Sequence, residues 1–267
     1  MKRIQYYLKD GLETLSDLPD ASIDLILIDP PYGTDPGEFL KKFAQKCVKD
    51  PAKRLGKTGK ILTGILSKES NLPNILFTGE TYGNYFKEYF NEAHKKLKPT
   101  GNLCIFQGLM YLGPTYNLIP ENFYFRNIII YGFWERRSVA ETNLGTAYIP
   151  ILWVSKSTEF YRNAKAIRKY FPNLPPEKSI PNIWISKRTQ PIKYYSTKPL
   201  PVLMALIEFL CPPDGLVVDT FAGSGATGEA AILTGRKCIM SDIYEDALLT
   251  AKIRLLRYKP DLEKYYA

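Results

Sequence analysis

The sequence predicts an α/β fold built on a largely parallel sheet, and three observations carry the prediction. Short, nearly continuous apolar runs recur along the chain, among them Ser22–Asp29 (SIDLILID), Asn102–Phe106 (NLCIF) and Leu216–Asp219 (LVVD). Runs of this length without polar alternation suit strands buried on both faces. Segments with helical spacing separate them, as crossovers between parallel strands require. Two of the runs end in an acid and open into a loop rich in Pro or Gly, Asp29-Pro30-Pro31-Tyr32 and Asp219-Thr-Phe-Ala-Gly-Ser-Gly.

In chain order, Ser22–Asp29 is the first strong strand. The run NYFKEYFNEAHKKL reads as a helix, stopped by the turn signal Lys-Pro-Thr-Gly at Lys98–Gly101 before the strand Asn102–Phe106. Asn127–Phe133 and Ile149–Val154 are two more strands, expected to close the sheet as a terminal pair. Leu216–Asp219 and Lys237–Asp242 flank a helix at Thr227–Leu233, which Gly235 ends. Two segments break the pattern. Residues 34–81 are Gly/Lys-rich and weakly periodic, and are expected to form a long mobile loop. Residues 155–196 are basic and interleaved with Tyr161, Tyr170, Trp184, Tyr194 and Tyr195, and are expected to form a small appended module. The domain plan is therefore 1–154, 155–196 and 197–267.

The 267 residues are 45% hydrophobic, enough for a core, and the net charge of +9 favours an anionic partner. The charge is unevenly placed. Lys156–Lys198 holds ten Lys/Arg against two acids, and Lys41–Lys60 eight against one, so the remainder is net acidic. No apolar run reaches the roughly 18–20 residues of a membrane span. The opening run MKRIQYYLKD lacks the apolar stretch of a secretion signal, and the four cysteines form no CxxC pair. A cytoplasmic, reducing setting without disulfide scaffold or metal site is expected. The single histidine, His94, is expected on the surface, and one histidine leaves serine-triad and His-ligated metal chemistry without material.

Asp219–Gly228 follows a strand and opens a helix, where Gly223 and Gly225 let a ligand approach backbone N–H groups. Gly223, Gly225 and Gly228 satisfy GxGxxG, and Asp242 ends the next strand, where an acid can bind ribose hydroxyls. Dinucleotides and S-adenosylmethionine share this loop-and-acid geometry, so the loop alone leaves both open. Little chain follows Gly225, so the strands that complete the sheet are expected earlier in the sequence.

Asp29-Pro30-Pro31-Tyr32 suits methylation of an exocyclic amine on a nucleobase. Such a nitrogen is a poor nucleophile, because its lone pair is delocalised into the ring. A carboxylate and a backbone carbonyl that accept its two N–H protons favour a localised lone pair. Proline fixes φ and removes a competing donor, and Tyr32 offers a stacking face for an extruded base.

Together the two motifs resemble the amino-methyltransferases of DNA, and in particular their β group, in which the catalytic tetrapeptide precedes the recognition region and the cofactor loop comes last. The resemblance implies a Rossmann-like S-adenosylmethionine-dependent methyltransferase sheet, mostly parallel with one antiparallel strand and a circularly permuted motif order. It implies catalytic roles for Asp29, Pro30, Pro31 and Tyr32. It assigns Asp10, Lys198, Asp219, Phe221, Gly223, Gly225 and Asp242 to the cofactor, with Thr197-Lys198-Pro199 resembling the segment that helps hold the methionine carboxylate. Phe133 or Trp134 would lie beside the target base. In the basic module, Arg162, Arg168, Lys187 and Arg188 are the expected contacts to base or phosphate, and the loop after Tyr32 is expected to order on DNA.

The resulting expectation is a site-specific methyltransferase acting on adenine N6 in double-stranded DNA, of the restriction-modification kind and compatible with a homodimer. Cytosine N4 and RNA remain open as targets. A cytosine C5 mechanism fits poorly, because Cys211 precedes Pro212 and no Pro-Cys pair occurs. An NAD-dependent oxidoreductase would leave the tetrapeptide and the basic module unexplained. A non-catalytic nucleic-acid-binding subunit sits badly with an intact tetrapeptide.

Overall fold

The computed structural model describes residues 4–30, 79–133, 147–175, 179–186 and 197–258. The sheet belongs to one compact unit, formed by the chain up to Pro30 and from Phe86 onward. Its strands are β1 (Ile4–Leu8), β2 (Ile23–Ile28), β3 (Leu97–Phe106), β4 (Tyr124–Phe133), β5 (Tyr148–Ser155), β6 (Ile183–Ser186), β7 (Leu216–Asp219) and β8 (Lys237–Asp242). Between them lie α1 (Gly11–Ser16), α2 (Gly79–Lys96), α3 (Leu109–Leu118), α4 (Lys165–Tyr170), α5 (Leu200–Leu210), α6 (Ala226–Leu233) and α7 (Glu245–Leu256).

The strands form one sheet in the order β1-β8-β7-β2-β3-β5-β4-β6. Among them β5 alone runs against the rest, pairing antiparallel with both β3 and β4. This is the mostly parallel sheet with one reversed strand that the resemblance implied. The glycine strand β7 sits at the centre although it comes late in the chain, between β8 and β2. β2 is buried at all six positions, which accounts for its unbroken apolar run; each fully buried Leu or Ile contributes about 1.5–3 kcal/mol. The acid within it is accommodated by partners. Asp24 accepts the Leu216 N–H at 2.8 Å and pairs with Lys98 at 2.8 Å, tying β2 to the start of β7 and to β3.

Helices α4, α5, α6 and α7 pack in succession, each on the next. Apolar residues of α5 (Val202, Leu203, Leu206, Leu210) share one core with Leu25, Leu27, Cys104 and Trp153 of the sheet. A buried Asn102 sustains this packing. Its amide donates to the Tyr161 and Leu210 carbonyls, both at 3.1 Å, and its oxygen accepts the Trp153 indole N–H at 3.0 Å.

Three sequence expectations change. β4 and β5 do pair, but they do not close the sheet, because β6 adds a further strand beside β4. The described part of 155–196 is no appended module. Ile167, Phe171 and Trp184 join the main core, and the Phe171 and Trp184 rings lie 5.5 Å apart. Phe171 and Trp184 therefore fill core volume rather than await a base. His94 is half-buried, with the Phe123 ring edge-on at 5.0 Å, and burial lowers its pKa.

Candidate active site

Carboxylates gather where the parallel strands end. β2 ends at Asp29 and its neighbour β7 at Asp219, with Leu25 level with Val217 and Ile26 with Val218. β8 ends at Asp242, level with Leu8 of β1, and Asp10 follows just beyond. Crevices outside the carboxyl ends of such strands are where open α/β sheets bind ligands.

The loop after β7 is held from several sides. Gly223 and Gly225 adopt positive φ, +48° and +73°. At Gly225 a side chain would also meet the Ala251 Cβ at 2.7 Å, so the residue admits α7 as well as the turn. Ala222 donates its N–H to the Ser241 carbonyl at 3.0 Å, and Gly223 to an Asp242 carboxylate oxygen at 2.9 Å. The Tyr6 hydroxyl donates to the Gly223 carbonyl at 3.2 Å. Tyr89 and Thr220 share a buried hydroxyl bond of 2.7 Å, and Phe86 of α2 stacks on Phe221 at 6.0 Å.

One anchor was not anticipated from the sequence. Arg254 of α7 donates to the Ser224 carbonyl at 2.8 Å and to the Glu229 carboxylate at 2.7 Å, with both charged side chains 1% exposed. Glu229 also binds Arg257 and the Tyr258 hydroxyl. The signal was available in outline. Ala247, Ala251, Arg254 and Leu255 are the buried positions of α7, so a helical-face reading puts an arginine on the core side, where it requires an acid partner.

The electrostatics suit a ligand that carries a cation and hydroxyls. Burial pushes the Asp219 carboxyl up to about 7, with Asp29 and Asp242 adding like charge, against hydrogen bonds from Thr227 and the Phe221 N–H. A buried carboxyl in that state gains most from an incoming ammonium. Burial also raises Asp242, against N–H bonds from Gly223 and Tyr244. A carboxylate has about four acceptor positions, so Asp242 retains capacity for hydroxyls. The half-buried Asp10 caps α1, accepting N–H bonds from Leu12 at 2.8 Å and Glu13 at 3.3 Å.

Other site expectations fare unevenly. Lys198 forms an ion pair with Asp29, its side chain 7% exposed, so the structure places it on the tetrapeptide as well as next to the glycine loop. Phe133 ends β4 at the correct edge of the sheet, but it is 4% exposed and packs in the core, so it offers no open face to a base. Arg168 binds the Leu174 and Pro175 carbonyls at 3.3 and 2.6 Å and serves the turn after α4. Arg162 lies at the opposite end of the sheet. Because β5 runs backwards, it delivers the chain to the amino end of β3, where Tyr161 binds the Thr100 carbonyl and Asn163 that of Phe209. Arg162 is therefore not among the residues that can face a base over Asp29. Pro31, Tyr32, Trp134, Lys187, Arg188 and the loop expected at 34–81 lie outside the described residues, apart from the first residues of α2. Ser186, which precedes Lys187, is level with Phe133 at the carboxyl end of the sheet.

Comparison with known proteins agrees with this geometry. The profile of the DNA methylase family matches residues 23–252, from the first residue of β2 to within α7. The chain is 26% identical over 271 residues to the type II methyltransferase M.HinfI of Haemophilus influenzae, covering 94% of this chain and 68% of that protein. It is 25% identical over 272 residues to the DNA adenine methyltransferase YhdJ of Escherichia coli K12, covering 92% and 80%. Among solved structures, the cytosine-N4-specific PvuII DNA methyltransferase superposes with a TM-score of 0.66 at 19% identity, over 94% of this chain and 87% of that one. The M1.HpyAVI–SAM complex superposes at 0.63 with 20% identity, over 94% and 100%. With the tetrapeptide strand and the glycine strand side by side in a methyltransferase sheet, the chain belongs to the DNA methylase family.

Proposed function

We propose that this protein transfers a methyl group from S-adenosylmethionine to the exocyclic N6 of an adenine extruded from double-stranded DNA. The observation that carries the reading is the adjacency of Asp29 and the Asp219–Gly225 loop on neighbouring strands. That adjacency supports an acceptor for amine protons next to a glycine loop and carboxylates of the kind this cofactor requires. Asp219 suits its ammonium, Asp242 its ribose hydroxyls, and the loop its methionine backbone. When bound, S-adenosylmethionine supplies an electrophilic methyl carbon on a positively charged sulfur.

The chain's own residues activate the amine. Asp29 and the Pro30 carbonyl accept its two N–H groups, which favours a localised lone pair directed at the methyl carbon. Asp29 would then take up the proton that the methylated amine gives up. Tyr32 is assigned to stack on the extruded base, and Lys187 and Arg188, which follow the carboxyl end of β6, to the DNA. Adenine is favoured by the Asp that leads the tetrapeptide and by the name of the relative YhdJ. The cytosine-N4 alternative is kept by the likeness to the PvuII enzyme. A restriction-modification setting and a homodimer accompany the proposal.

The test is incubation with double-stranded DNA and labelled S-adenosylmethionine, followed by digestion to nucleosides. Label in N6-methyl-2′-deoxyadenosine supports the reading, and label in N4-methyl-2′-deoxycytidine moves the target. Label only with RNA changes the substrate. Absence of label together with tight NAD binding overturns the reading.

A further inference from the structure

The pairing of Lys198 with Asp29 gives that lysine a task different from the cofactor role the resemblance implied, and the inference rests on the methyltransferase reading above. We propose that Lys198 is the positioning residue of the catalytic carboxylate, holding Asp29 turned toward the target amine. Three observations support it. Lys198 Nζ binds Asp29 Oδ2, with the two side chains 7% and 22% exposed, so the pair is largely withdrawn from water. The ammonium also lies 5.4 Å from the centroid of the Phe106 ring, which ends β3 beside β2 and favours a cation on its face. Finally, the preceding residue Thr197 shares a hydroxyl bond of 3.1 Å with Ser224 in the glycine loop. Two successive residues therefore join the tetrapeptide to the cofactor loop, and Pro199 follows immediately at the start of α5.

Charge points the same way. Asp29 lies within electrostatic reach of Asp219, and Lys198 ahead of α5 pairs with it. A cation at contact distance offsets a like charge further off.

The experiment compares wild type with Lys198→Met and Lys198→Arg. It measures cofactor dissociation constants by intrinsic fluorescence, and single-turnover methyl transfer at saturating cofactor from pH 5.5 to 9. Lys198→Met is expected to slow transfer about 100-fold at pH 7, the lower end of what a proton-handling group contributes. Cofactor affinity should stay within about threefold, and Lys198→Arg should recover most of the rate. Parallel loss of cofactor affinity with an unchanged rate at saturation would make Lys198 a cofactor ligand instead. A loss shared in full by Lys198→Arg would reduce it to a structural residue. Circular dichroism identifies a variant that fails to fold, in which case Lys198→Gln repeats the test. Absence of transfer by the wild type would sink the methyltransferase reading itself, a different outcome from any of these.

Discussion

Replacing Arg254 with methionine removes the guanidinium that holds the Ser224 carbonyl and leaves Glu229 behind in the core. Both charged side chains are 1% exposed, and breaking a buried ion pair from one side costs about 3–5 kcal/mol, because the remaining charge loses its compensation. Glu229 keeps Arg257 and Tyr258 as partners, and methionine retains much of the apolar stem, so the lower end, about 3 kcal/mol, is expected. For a chain of this size, 1 kcal/mol corresponds to roughly 2–4 °C in Tm, giving a fall of about 6–12 °C. The assay is thermal denaturation followed by circular dichroism, as a double-mutant cycle with Glu229→Gln. If Glu229 is the stranded charge, the double variant recovers at least about 1 kcal/mol relative to the sum of the singles. Cofactor affinity should also weaken, since the glycine loop loses a buried tether at Ser224. A Tm within 2 °C of wild type, or strict additivity in the cycle, would refute the reasoning.

Asp219 gives a pH prediction. Its carboxyl is raised to about 7 from an ordinary value of 3.8. Between those two values the folded chain holds a proton that the unfolded chain has released, so this group's contribution to stability declines as pH rises through the window. Asp219→Asn should therefore raise Tm at pH 8 and leave it nearly unchanged at pH 4, while cofactor binding is lost. Wild-type cofactor affinity should fall as pH drops below about 7, and a flat titration by fluorescence would contradict that. Gly225→Ala places a Cβ 2.7 Å from Ala251 at φ +73°, adding steric conflict to a strain of roughly 1–2 kcal/mol. Gly228→Ala meets only the flexible end of Met240 and should cost less, an ordering that denaturant titration checks. Arg162→Ala should leave DNA affinity and its salt dependence within error in a fluorescence-anisotropy titration, because the residue lies at the far end of the sheet. A reduced salt slope would return it to the DNA interface.

The fold was legible because its signals are local. The unbroken apolar run of β2, the strand–glycine–helix turn at Asp219–Ala226 and the helix closed by Gly235 each express a preference of a few adjacent residues. The DNA methylase family was legible from the same places, because both of its motifs occupy short spans beside a strand end. Two residues of the basic region could not be placed from the sequence, for a physical reason. Charge and aromatic content describe composition, whereas the role of Arg162 depends on the direction of β5 and that of Trp184 on which face of β6 meets the core.

By itself, then, the sequence determined the α/β class, the two motifs and the chemistry they serve, since these rest on backbone preference and residue type over short spans. Only the tertiary structure decided that β7 lies beside β2, that Lys198 reaches Asp29 across 169 positions, and that Arg254 pins the glycine loop through Ser224. Those relations depend on the order in which strands assemble and on which charges are buried together, and contacts between residues so far apart leave no pattern in the spacing of their neighbours.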